Sequence, residues 1–164
     1  MASTVATEYA AIVAYWRTNC PVVEARRCYT HLSGAKFNRP QIPTPEAITT
    51  ANRFATLQAL VWVALQIIGV PRSGRKMGIQ TNSHTERLGL ISQSVFYPTG
   101  YGLDFVTPLL DDAREVFHRV TLSSGLIVCR DSDPPFQVQQ PDESAAGWGQ
   151  FNVTTPYYLR EQVI

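Results

Sequence analysis

The chain has 164 residues, of which 45% are apolar and 16% charged, with a formal net charge of +1. One domain is the default at that length, with enough chain to bury a real core. The three cysteines, Cys20, Cys28 and Cys129, are odd in number and include no C-x-x-C pair, which favours reduced thiols over disulfides or metal ligands.

The usual charged fraction is about 25%. A surface this poor in charge fits a protein that meets other subunits, because the cores of interfaces are depleted in charge. An ordinary neutral-surfaced domain is the bland alternative. The charges are also unevenly spread. Residues 1–90 carry ten Lys/Arg against four acids, net +6, and residues 91–164 carry four Arg against nine acids, net −5. That split suggests a polyanion partner for the first part, or head-to-tail contact between the two parts. Met1-Ala2-Ser3-Thr4 lacks the basic region and apolar run of an export signal, and Ala2 stands where myristoylation needs glycine. The expected location is therefore cytoplasmic or within a virion.

In chain order, residues 4–19 place Val5, Tyr9, Ile12, Val13 and Trp16 on one helical face, ended by Pro21. A second helix is expected over 21–33, from Pro21 to Gly34. The strongest signal lies at 44–70. Thr44 is a good N-cap, Pro45 suits the first helical position, and Gly69 and Pro71 form a normal stop. Between them Ile48, Phe54, Leu57, Val61, Leu65 and Ile68 keep helical spacing. The second half, from Val61 to Ile68, has almost no polar face, so a helix here must be buried all round, in a core or in a membrane. Phe54 to Pro71 is uncharged but contains Thr56, Gln58 and Gln66, which favours the core.

Ser83-His84-Thr85-Glu86 has the form of a capping box, and Leu88, Ile91 and Val95 continue as a helical stripe to Pro98, despite Gly89. Thr107-Pro108 starts a fifth helix, with its stripe running from Leu109 to Val120. Beyond it the pattern turns β-like. Leu126–Cys129, Phe136–Gln139 and Phe151–Thr154 are short runs broken by Pro134, Pro135, Pro141 and Pro156. The expected fold is thus mainly α: about five helices around a buried central helix at about 45–68. The expected division is a helical core at 1–120 and an extended or short-β arm at 121–164, packed on its own or a neighbouring subunit.

No complete catalytic motif is present. Gly69-Val70-Pro71-Arg72-Ser73-Gly74-Arg75-Lys76 comes near to a phosphate loop. It puts Arg75 in the lysine position and Lys76 in the hydroxyl position, and it follows an expected helix where that loop follows a strand. Glu115-Val116-Phe117-His118 has di-iron spacing without a second such motif. Asp131-Ser132-Asp133 opens like a calcium loop and then meets two prolines.

What remains is a cationic pattern: Arg26, Arg27, Lys36 and Arg39 among Tyr29, His31 and Phe37, followed by Arg72, Arg75 and Lys76 in a Gly-containing turn. Aromatic residues beside cations suit single-stranded nucleic acid, where bases stack and phosphates pair. These seven residues are the candidate RNA-binding set, expected to neutralise phosphates without reading bases. In size, low charge, Thr/Gln/Pro-rich composition and expected helical core, the chain is similar to helical virus coat proteins; no motif carries that likeness, and no sites transfer from it. The expectation is a non-enzymatic, self-assembling structural protein, a coat subunit packaging single-stranded RNA, with no metal or cofactor and no membrane partner. The alternatives are a subunit of a protein complex without nucleic acid, and a small helical enzyme or ligand-binding domain.

Overall fold

A computed structural model describes residues 5–29, 37–44, 47–48, 51–69, 75–77, 84–123, 126–139 and 147–162. The architecture is mixed α/β, not mainly α. A sheet curled into a half-barrel packs against helices. The helices are α1 (Val5–Asn19), α2 (Arg53–Leu60) and α3 (Thr107–Phe117). The strands are β1 (Arg27–Tyr29), β2 (Trp62–Gly69), β3 (Arg75–Met77), β4 (His84–Pro98), β5 (Thr121–Leu122), β6 (Ile127–Cys129), β7 (Phe136–Gln137) and β8 (Trp148–Gln162). Their order across the sheet is β1-β2-β4-β8-β6-β5, with β3 on β4 and β7 on β8.

The backbone of the sheet is the antiparallel pairing of β4 with β8, in register from His84↔Gln162 to Pro98↔Trp148. Since β8 occupies one edge of β4 over that whole length, β2 and β3 both lie along the other edge. The result is a long ribbon whose far end, at β3, carries the sheet beyond Gly69.

Two of the five expected helices, α1 and α3, are present near their expected bounds. α3 buries Leu110, Ala113, Val116 and Phe117 and leaves Asp111, Asp112 and Glu115 exposed, an ordinary amphipathic surface helix. The expected central helix at 45–68 is overturned. Helix α2 covers 53–60, and after Val61 the chain becomes strand β2. The physical reason lies in the feature that suggested a buried helix. Val61, Trp62, Val63, Ile67 and Ile68 are β-branched or aromatic, and an apolar run without a polar face also describes a strand covered on both sides. Val63, Leu65 and Ile67 face the main core; Trp62 and Ala64 face a second cluster with Phe96 and Trp148. Trp62 stacks on Phe96 at a centroid distance of 3.9 Å, and Phe37 and Ile42 from the 37–44 segment cover the pair.

The expected helix after Ser83 is instead β4. Its inward positions Ile91, Gln93, Val95 and Tyr97 alternate with Ser92, Ser94 and Phe96. Gln93 disguises this alternation, because a polar side chain occupies a fully buried inward position. It accepts a hydrogen bond from Trp16 Nε1 (3.0 Å) and donates one from Nε2 to the Ala113 carbonyl (2.7 Å). One side chain thereby joins α1, β4 and α3. The expected 21–33 helix is a single 3₁₀ turn (Glu24–Arg26) followed by β1; residues 30–33 lie outside the described residues.

The C-terminal arm is corrected too. β8 is fifteen residues long and sits inside the sheet of its own subunit, between β4 and β6. Pro156 does not end it. Its carbonyl accepts from Arg130 N on the side away from β4. The missing N–H points the same way, so the β4–β8 ladder loses no bond, and the Arg130 carbonyl opposite accepts from Arg119 N instead (3.1 Å). Two glycines admit tyrosine rings across the ladder. A Cβ on Gly89 would lie 2.3 Å from the Tyr157 ring, and one on Gly149 would lie 2.4 Å from the Tyr97 ring. Gly89 pairs with Tyr157 and Gly149 with Tyr97, so each ring lies over the glycine opposite it.

Gly89→Ala must push the Tyr157 ring aside and is expected to destabilise by about 1–3 kcal/mol, the usual cost of overpacking. Urea unfolding checks this; an unchanged midpoint would show that the ring moves freely.

Candidate functional site

Of the seven cations of the expected RNA-binding set, Arg26, Arg27 and Arg39 have side chains among the described residues. Arg26 is half-buried and turned inward. It donates to the carbonyls of Gln58 (2.9 Å), Ala59 and Val61, satisfying the open end of α2. Burial lowers its pKa from the ordinary value. Arg27 donates to the carbonyls of Arg17, Cys20 and Val22 and holds the turn that leaves α1. Arg39 is exposed on the 37–44 segment. Arg75 and Lys76 lie on β3, opposite Glu86 and Thr85. Lys36 and Arg72 fall outside the described residues.

Cys28 stands level with Ser94 through Ala64, and Arg75 stands opposite Glu86. Eight strand residues separate those levels, about 27 Å at 3.4 Å per residue. The phosphate-loop comparison also changes footing. The segment follows a strand, since β2 ends at Gly69, but it leads to strand β3 and not to the helix that such a loop requires.

The other sequence candidates are engaged structurally. His118 Nδ1 accepts from Ser132 N (3.2 Å), and its Nε2 lies 3.8 Å from Asp131. Asp131 pairs with Arg119, whose guanidinium holds the carboxyl below its usual range. No group of three or more His, Cys, Asp or Glu side chains placed to hold a metal occurs among the described residues. No helix among them is long and apolar enough to cross a membrane. Glu8, buried on α1, pairs with Arg87 of β4 at 3.2 Å. Burial, and then the neighbouring Glu8, pushes the Tyr157 hydroxyl pKa up. These contacts fasten α1 to the ribbon.

The feature that stands out is the sheet face turned away from the helices. At one end the 37–44 segment covers it. At the ribbon end it is open: Leu88 is 54% and Ile68 42% exposed. Ile68 pairs with Leu90, Leu90 with Pro156, and Leu88 with Tyr158, which places these side chains side by side on one face. Cations border them. Arg130 and Arg160 lie over the Tyr158 ring at 4.8 and 5.1 Å, and Arg160 reaches Glu86 at 3.7 Å. Read as a helix, Leu88 joined Ile91 and Val95 on one face. Read with period two, Leu88 and Leu90 oppose the buried Ile91, Gln93 and Val95, and that was the available signal for this patch.

No family model matches the chain, and no curated protein sequence matches it. Among solved structures, one similar chain aligns over 96% of this chain and 94% of its own length, with a TM-score of 0.52 and 12% identity. At that identity the likeness shows the fold alone.

All three cysteines are unpaired, and Cys20 and Cys129 are buried. Burial pushes the Cys129 thiol up to about 12 from 9.0. A thiol whose folded pKa is raised contributes stability that is complete below the unfolded value and lost as pH climbs toward the folded one. Stability should therefore decline above pH 9, with Cys129 contributing about 1.4 kcal/mol per pH unit until its folded pKa is approached. Comparing denaturation midpoints of wild type and Cys129→Ala across this range checks it. Equal slopes would mean that Cys129 ionises as easily folded as unfolded.

Proposed function

We propose that this protein is a self-assembling structural subunit, whose ribbon end is an interface with other copies. The observation that carries the reading is the open patch of Ile68, Leu88 and Leu90. Leu88 and Ile68 are exposed there, with the half-buried Leu90 between them on the same sheet face, on a chain whose composition is poor in charge. A contiguous exposed apolar patch rimmed by polar groups is what a protein-binding surface looks like.

The proposal leaves out the packaging of RNA by a helical coat subunit. The likeness to helical coat proteins rested, beside size and composition, on a helical core, and the structure is mixed α/β with a sheet through its core. Arg26 and Arg27, two of the seven proposed phosphate contacts, donate to backbone carbonyls, Arg26 through Nη1 and Arg27 through all three guanidinium nitrogens.

Size-exclusion chromatography with light scattering tests the reading. Wild type is expected as multimers that dissociate on dilution, and Leu88→Asp as a folded monomer with an unchanged circular dichroism spectrum. A wild type that stays monomeric at every concentration contradicts self-assembly.

A further inference from the structure

Two surface grooves lie beside α3 and share Pro21 as a wall. One, of about 270 Å³, is lined by the apolar Pro21, Val22, Ala55, Ala59 and Leu109 together with Gln58 and Arg26. The other, of about 380 Å³, is lined by Tyr15, Asn19 and Val116 together with the carboxylates of Asp112 and Glu115. Both acids are exposed, as is Asp111 beside them. Val23 and Phe54, next in sequence to lining residues of the first groove, are 54% and 47% exposed. This side of the molecule therefore has an apolar half and an acidic half. The ribbon end has the apolar Ile68, Leu88 and Leu90, and beside them Arg130 and Arg160, two cations against the single acid Glu86 that Arg160 reaches.

We infer that the contact between copies is head-to-tail. The ribbon end of one copy seats its leucines in the apolar groove of the next and brings Arg130 and Arg160 to Asp112 and Glu115. This rests on the self-assembly reading above and specifies its geometry. Charge complementarity selects the occupant. A ribbon end meeting another ribbon end would bring arginines together, and two α3 faces would bring carboxylates together, each costing repulsion. Because the two surfaces are different patches, the contact is heterologous. It closes into a ring if the rotation between copies permits and otherwise propagates as a filament.

A mixing experiment tests it. Leu88→Asp blocks the ribbon and leaves the α3 side intact; the double variant Asp112→Arg, Glu115→Arg blocks the α3 side and leaves the ribbon intact. All three positions are exposed, and thermal melting confirms that each variant is folded. Arg160→Glu serves as a second ribbon variant should Leu88→Asp melt early. Each variant alone is expected to be monomeric, with self-association weakened about tenfold or more. An equimolar mixture is expected to form dimers and nothing larger, because it offers one intact ribbon and one intact groove. If wild type assembles and the mixture stays monomeric, or if the α3 variant assembles like wild type, the head-to-tail contact is wrong and self-assembly stands. If wild type is monomeric, the underlying reading fails and this one with it.

Discussion

The pairing of β4 with β8 is the constraint on which the rest of the structure depends. These two fifteen-residue strands come from distant parts of the chain, and their register from His84↔Gln162 to Pro98↔Trp148 fixes which side chains face the helices. A shift of β8 by one residue against β4 would turn Val153, Tyr157 and Leu159 out of the core and bring Asn152 and Thr154 into it. Gly89 and Gly149 oppose such a shift. Each must stand opposite the tyrosine whose ring covers it, and a residue with a Cβ in either place would collide with that ring.

On that frame the helices are held by packing and by one buried polar side chain. Trp16, Leu57, Phe105 and Phe117 are fully buried against the inner face and supply apolar area. Gln93 adds direction. Its amide joins the Trp16 indole to the Ala113 carbonyl, so α1 and α3 are fixed to the same point of β4. A hydrocarbon there would leave both partners unpaired, at about 1–3 kcal/mol for each group. Apolar contacts alone tolerate sliding, whereas this bridge admits one placement. The same frame keeps the outer face separate from the core. The helices claim the odd positions of β4, and on the even side at the ribbon end Leu88 remains exposed.

The readable parts of the sequence were those where local pattern and tertiary environment agree. α1 and α3 are amphipathic surface helices, and Thr107-Pro108 marks the start of the second. The β-like character of 126–129, 136–139 and 151–154 also showed. β2 and β4 did not, for different reasons. β2 is covered on both faces from Trp62 to Leu65, so its apolar residues there lack a period that separates strand from helix. β4 has the period, but Gln93 breaks it in the middle, and Ser83-His84-Thr85-Glu86 imitates a helix start. The length of β8 was hidden by Pro156, harmless because its missing donor points away from β4. The candidate cations were visible as residues. Their destinations were not, because local sequence does not reveal that Arg26 and Arg27 bend back onto carbonyls of their own chain. The ribbon patch could be read only once β4 was known to be a strand.

Native-state hydrogen exchange resolved by residue tests the central claim most directly. If β4 and β8 form the structural spine, the slowest amides lie in Ile91–Phe96 and in the facing part of β8, and their exchange free energies match that of global unfolding. The contradicting result is rapid exchange over 151–159, as in a loosely attached tail, with the strongest protection running continuously from 45 to 68, as in a buried central helix.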